Sequence, residues 1–254
     1  MKIANIILSL LLSILLFSCS KGNDDEHIDL SLYTYVPDDN FEQLLIEQGY
    51  DDKMDDYVLN SNIKNINELS AYVCVYSGGG GACSGVGISD LTGIENFKNL
   101  EVLNVSGNQL THLDVSHNIY LKTLICYGNK ISSLDLSNNP NLEYLSIGES
   151  VVLSRGNNIT SIDLSNNINL KHIDCSNNKL SNLDITNNVN LEHLYCRNNN
   201  LSSLDISNNV NLTSMSCELN PSLECIQVNQ NQLTNYTVYH YSSDPGVIHS
   251  LNCN

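Results

Sequence analysis

One pattern recurs six times between Leu100 and Gln232: L-x-x-L-x-C-x-x-N-x-L-x-x-L-D-L-S-x-N-x-x. Its clearest copy is LEHLYCRNNNLSSLDISNNVN, residues 191–211. Copies open at Leu100, Leu121, Leu142, Leu170, Leu191 and Leu212, so the step is 21 residues with one step of 28. The last copy keeps its first half and blurs in its second. A chain held to such a register has few folding options, because each copy must retrace the path of the one before it. Within a copy the spacing L-x-x-L-x-L-x-x-N occurs twice. Residues two apart in a short strand share a face, so Leu124 with Cys126, and Leu134 with Leu136, point into one interior. The closing asparagines suit tight turns, where the side-chain amide bonds backbone groups. Stacked copies therefore predict two asparagine ladders, one at each edge of the coil.

A period of this length with these leucines is a leucine-rich repeat. The expected fold is a right-handed leucine-rich-repeat solenoid of the α/β leucine-rich-repeat class, rich in β-structure and poor in helix, its parallel strands stacked coil on coil. A single coil cannot bury enough to offset the entropy of ordering it, so neighbours must share core and the ends need caps. At the front, Asp38 or Asp39 can cap a short helix in FEQLLIEQGY with Phe41, Leu44 and Leu45 on one face and Gly49 at its end. At the back, LTNYTVYHYSSDPGVIHSLNC reads as a closing strand or loop pair. The expected organisation is a leader over residues 1–18, an acidic tether over 19–35, a helical cap over 36–62, the solenoid over 63–232 and a second cap over 233–254.

The leader follows from Lys2 and the apolar run between Ile3 and Phe17, which has the length of a signal-peptide core rather than of a membrane span. It ends Leu16-Phe17-Ser18-Cys19, which resembles the lipobox of bacterial lipoproteins; that resemblance implies cleavage before Cys19 and a lipid on its thiol. The formal charge of −17 disfavours nucleic acid, whose binding rests on Lys and Arg. Cys126, Cys175, Cys196 and Cys217 share one inward column with Val105 and Ile147, so the slot wants a small apolar group and the thiols are expected to be free. Adjacent coils set such residues about 4.8 Å apart with parallel side chains, a poor geometry for a disulfide. Cys74 and Cys83 flank the four-glycine loop VYSGGGGA, and outside the cytosol a disulfide closing it is expected.

ISDLTGIENFKN, residues 88–99, closely resembles an internalin-type repeat, and residues 36–253 as a whole resemble bacterial internalin-like leucine-rich-repeat lipoproteins. The resemblance implies a cell-surface binding protein in the cell envelope, an outer-membrane lipoprotein of a Gram-negative bacterium, with a protein or glycan partner and a lipid as its membrane contact. A scaffold or accessory subunit of an outer-membrane assembly is the alternative role. The resemblance also implies a Cys225–Cys253 bond in the C-terminal cap, with Cys217–Cys225 as the competing pair.

Comparison of the copies with one another separates scaffold from variable surface. The Asp-Ser half is monotonous, with Asp114, Asp135, Asp163, Asp184 and Asp205 in one outward slot. Ser116, Ser137, Ser165, Thr186 and Ser207 lie two residues further on, and the carboxylates are expected to be quenched by these hydroxyls or by backbone donors. The first half varies in its outward slots, which puts a candidate binding face at Ile125, Tyr127, Tyr144, His172, His193, Tyr195 and Arg197, Tyr and Arg being common interface anchors. Tyr127 and Tyr144 are expected to be neighbours on it. The extra residues between Gly148 and Gly156 should bulge from one edge of that face. No phosphate loop, zincin motif, nucleophile elbow or glycosidase-type carboxylate pair occurs, so a non-enzymatic protein without cofactor or bound metal is expected.

Overall fold

The structure, a computed structural model, describes residues 29–77, 80–148, 156–234 and 240–253, with no side-chain description for residues 73–83. The leader, Cys19 and most of the tether lie outside the described residues. Residues 31–254 form one compact unit. Its main element is an eight-stranded parallel sheet. Seven of its strands are β3 (Glu68–Ser70), β6 (Val102–Asn104), β7 (Thr123–Ile125), β8 (Tyr144–Ser146), β9 (His172–Asp174), β10 (His193–Tyr195) and β12 (Ser214–Ser216), and β14 (His240–Ser242) completes it. Each strand is three residues long and comes from the first half of a coil. The middle residue points inward, so Leu69, Leu103, Leu124, Leu145, Ile173, Leu194 and Met215 are all buried.

The Asp-Ser half mostly forms turns rather than strands. Only near the C-terminal end does it form a sheet, where β11 (Leu204–Asp205), β13 (Cys225–Gln227) and β15 (Ile248–Ser250) pair in parallel. Leu134 and Leu136 point inward as expected, but the S-x-N-N turn that follows each L-D-L triplet leaves too little extended chain for a full ladder.

Asparagines join the coils along two buried lines. Asn129 donates from Nδ2 to the carbonyls of Val105 and Cys126, 2.9 Å each, and accepts the Leu110 amide at Oδ1, 3.0 Å. Asn108, Asn157, Asn178, Asn199 and Asn220 repeat the arrangement. Along the other edge Asn139 donates to the Val115 and Asn118 carbonyls, 3.0 Å each. Asn118, Asn167, Asn188 and Asn209 follow it, and Gln232 ends the line by donating to the Ile206 and Asn209 carbonyls. A third, exposed line is absent from the sequence reading: Asn141, Asn169, Asn190 and Asn211 each donate to a carbonyl one coil back.

The front cap is helix α1 (Asp39–Glu47) with the antiparallel pair β1 (Tyr33–Tyr35) and β2 (Tyr57–Leu59), followed by α2 (Asn60–Ile63). Asp38 is the N-cap. One carboxylate oxygen accepts the Asn40 and Phe41 amides, and the other accepts the amides of Ser89 and Asp90 and the Ser89 hydroxyl at 2.8–3.0 Å. One side chain thus starts the helix and ties the cap to the first internalin-type coil. Phe41 stacks on Phe97 of that coil, ring centroids 6.1 Å apart, and both are fully buried. Gly49, at φ +78°, follows the helix. The acidic link beyond it is pinned rather than free: the buried Glu42 carboxylate accepts the Asp55 amide at 2.7 Å.

The glycine-rich segment is a hairpin of β4 (Tyr72–Ser77) and β5 (Gly80–Gly85), whose register sets Cys74 opposite Cys83; a bond between them lies outside the described side chains. At the back, α3 (Gln230–Thr234) precedes β14, and both closing strands continue the existing sheets in the parallel sense. A Cys225–Cys253 disulfide joins β13 to the tail. Cys126, Cys175, Cys196 and Cys217 are free and buried.

Candidate binding face

The sheet's outward side chains fall into columns set by strand register. The first runs Thr123, Tyr144, His172, His193, Ser214, and the second Ile125, Ser146, Asp174, Tyr195, Ser216. Steps along a column are about 4.8 Å, the right spacing for aromatic rings to touch. The Tyr144 and His172 rings stack with centroids 4.2 Å apart and planes at 10°. His172 also meets His193 at 5.8 Å and, diagonally, Tyr195 at 5.4 Å. The Tyr195 hydroxyl lies 3.3 Å from Ser214 Oγ. Four of the seven residues expected from the sequence therefore form one continuous ring cluster.

Asp174 lies beside the cluster, buried, with Oδ1 accepting the Ser176 amide at 3.0 Å. Burial, and then the neighbouring His193, hold the His172 imidazole down at about 4. Burial, followed by Asp174 and Tyr195, pushes the Tyr144 phenol above its ordinary range. The cluster therefore carries no charge of its own from these two rings near neutral pH. Among the described residues, the ligand-type atoms that converge do so at Glu42, Asp51 and Asp55 rather than at His172, His193 and Asp174.

The other expected residues flank the cluster. Ile125 is half-buried in the second column, next to Ser146. Tyr127 packs edge-on against Tyr72, centroids 6.0 Å apart. Its ring partner is thus Tyr72 and not Tyr144, whose ring is taken by His172. The repeat pattern does not reveal this pair, because Tyr72 precedes the regular repeats. Arg197 lies in the coil after His172 and lowers the Glu218 carboxyl; burial pushes that group up, but hydrogen bonds from the Ser216 and Ser242 hydroxyls and then Arg197 outweigh it.

The enlarged coil borders this face. Gly148 and Gly156 flank residues 149–155, which lie outside the described residues. A Cβ on Gly148 would sit 1.8 Å from the Ser176 carbonyl oxygen, and one on Gly156 1.5 Å from that of Asn177. Only glycine allows this approach. The buried ladder resumes beyond them, Asn157 donating to the Ile147 carbonyl at 2.8 Å.

The Asp column differs in character. Asp114, Asp135, Asp163 and Asp205 accept the amides of Ser116, Ser137, Ser165 and Ser207 at 2.8–2.9 Å, and Asp184 accepts both the amide and the hydroxyl of Thr186. Those amides, together with the hydroxyls of Ser116, Ser137, Ser165 and Thr186, hold Asp114, Asp135, Asp163 and Asp184 below the usual carboxylate range, the hydroxyl being the larger cause at Asp163 and Asp184. At Asp135 they outweigh the opposing charges of Asp114 and Asp163. Asp114, Asp135 and Asp163 line an open groove of about 620 Å³ with His112, Ser133, Ser161 and Ile162.

No protein-family model matches the chain, and no curated protein matches it. Solved structures do. The chain is 22% identical to an internalin, InlF, of Listeria monocytogenes, covering 85% of itself and 69% of that chain at a TM-score of 0.63. Against internalin C2 of the same organism the values are 18%, 83% and 95%, with a TM-score of 0.55. Against the functional domain of InlJ, also from Listeria monocytogenes and described as including a cysteine ladder, they are 21%, 84% and 62%, with a TM-score of 0.43. The chain thus spans less than two thirds of the InlJ domain. It has the internalin-like leucine-rich-repeat fold.

Proposed function

We propose that the chain is a non-catalytic binding protein of the cell envelope, anchored by a lipid on Cys19, that takes a protein or glycan partner on the outward face of its main sheet. The observation that carries this is the ring cluster of Tyr144, His172, His193 and Tyr195. Partly exposed rings beside the Ser214 hydroxyl suit both a peptide and the apolar face of a sugar. The Asp-Ser half instead spends its side chains on its own turns. Structural similarity to the internalins named above supports a binding role.

The test is a titration of glycans and of envelope proteins against residues 31–254. Tyr144→Ala and Tyr195→Ala should each weaken binding roughly thirtyfold, about 2 kcal/mol, while Asp135→Ser and Asp184→Ser leave it unchanged. Full affinity in the tyrosine variants with loss in the aspartate variants would move the site to the acidic groove. The anchor has its own test: Cys19→Ala should release the chain from the membrane fraction, and unchanged membrane association would refute a lipid there.

A further inference from the structure

A second surface lies on the edge where each coil turns into the next strand. There the leucine that opens a copy donates its amide to the buried ladder asparagine three residues earlier, Leu121 to Asn118, Leu142 to Asn139, Leu170 to Asn167, Leu191 to Asn188 and Leu212 to Asn209, at 3.0–3.2 Å. The first residue inside each turn projects outward, and these are Ile119, Pro140, Ile168, Val189 and Val210. The four branched side chains among them are between 46% and 61% exposed, and Leu233 follows Gln232 in the same way. The turn does not require an apolar residue there, because Lys98 holds the place in the preceding coil, where Leu100 donates to Phe97. An aliphatic ridge along five successive coils is thus kept in water on a chain of net charge −17, and contiguous exposed apolar surface of that kind marks an interaction site.

The lane beside the ridge indicates the partner. Three residues after Ile119, Pro140, Ile168 and Val189, and hydrogen-bonded coil to coil through the backbone, stand Lys122, Glu143, Lys171 and Glu192, with Glu101 before them in the coil of Lys98 and the neutral Thr213 after them. Their signs alternate. Lys122 pairs with Glu101 at 2.8 Å and Lys171 with Glu143 at 2.7 Å. Three Glu and two Lys leave the lane with a net charge of only −1, so it adds little to the self-repulsion of a chain of net charge −17. We infer that this edge is a self-association surface, whose occupant is a second, antiparallel copy of the chain. If the two ridges face each other about a twofold axis between the coils of Glu143 and Lys171, Glu143 meets the partner's Lys171 and Lys122 meets the partner's Glu192. Across the ridge, Pro140 then meets the partner's Ile168, and Ile119 the partner's Val189. An axis through a coil would set Glu against Glu and Lys against Lys, so the alternating charges confine the axis to the space between two coils. A lipid surface fits less well, since the carboxylates of Glu101, Glu143 and Glu192 border the ridge. The ridge offers less than the about 800 Å² per partner of a standard interface, so the dimer is weak and reversible.

The test is sedimentation of residues 31–254 from ~5 to ~500 µM, the range in which an interface smaller than standard should dissociate. A monomer–dimer equilibrium is expected. Ile168→Asp and Val189→Asp should each weaken it at least about tenfold, by burying a charge, with unchanged circular dichroism and melting temperature. Charge matching is tested by mixing. Glu143→Lys and Lys171→Glu chains should each associate more weakly than wild type alone, yet pair with one another, because only the mixed dimer matches both contacts. A wild type that stays monomeric throughout, ridge variants that dimerise as well as wild type, or a mixture no tighter than its components would each overturn the inference. So would ridge-dependent flotation with phosphatidylcholine vesicles in the absence of self-association.

Discussion

At the scale of single residues, the coil demands particular backbone conformations that side chains satisfy unequally. The residue before five of the buried strand-side asparagines is left-handed: Gly107, Gly128, Asn177 and Asn198 have φ between +54° and +68°, and in the last such turn Leu219 has φ +58° with half its surface exposed. Glycine and asparagine tolerate this region, whereas leucine's Cβ does not. Leu219→Asn should therefore stabilise the chain by about 1 kcal/mol, read as a higher melting temperature; no gain would mean that Leu219 packs usefully where it stands. His172 makes a pH-dependent contribution. Its folded pKa of about 4 lies below the ordinary 6.5, so the neutral ring is favoured by folding. That stability is complete above pH 6.5 and is lost as pH falls from 6.5 towards 4. In His172→Gln the fall in melting temperature between pH 7 and pH 4.5 should shrink, and an unchanged fall would contradict the assignment. Repeat position alone is a poor guide to single ring contacts: Tyr127 and Tyr144 are both outward and one coil apart, but their rings pair with Tyr72 and His172 instead.

At the scale of the coil, the 21-residue period made the strands, the inward columns and both buried asparagine ladders legible, because each is a repeated position with one requirement. The Asp-Ser half was harder to read, since L-D-L alternation fits a short strand and a turn equally well; hydrogen bonds from Ser and Thr amides to Asp then favour the turn. The hairpin after β3 and the strands closing each sheet lie outside the period, so their pairing could not be read from it. The cysteine column shows what the period does dictate. Val105, Cys126, Ile147, Cys175, Cys196 and Cys217 are all fully buried in one line. Burial raises all four thiols, those of Cys126 and Cys217 to about 12. None should react with iodoacetamide in the folded chain at pH 8, and all should on unfolding. Cys196→Val should cost less than about 1.5 kcal/mol, whereas Cys196→Ser, which buries a hydroxyl, should cost roughly 1–3 kcal/mol. Equal costs would show that the slot is wet or that the thiol has a specific partner.

At the scale of the whole molecule, one repeated coil presents three chemically different surfaces: a sheet face with stacked rings, a turn face with self-satisfied carboxylates, and an aliphatic edge. The first varies from copy to copy and the second does not, as expected if the sheet face recognises a partner and the turn face holds the coil. The most direct measurement is a site-specific photocrosslink on the chain in the cells that produce it. A benzophenone side chain would replace Tyr144 or Ser214 on the sheet face, and Asp135 or Asp184 on the turn face. The same adduct from both sheet positions and none from the aspartate positions is the predicted result; adducts from the aspartate positions alone would contradict the account.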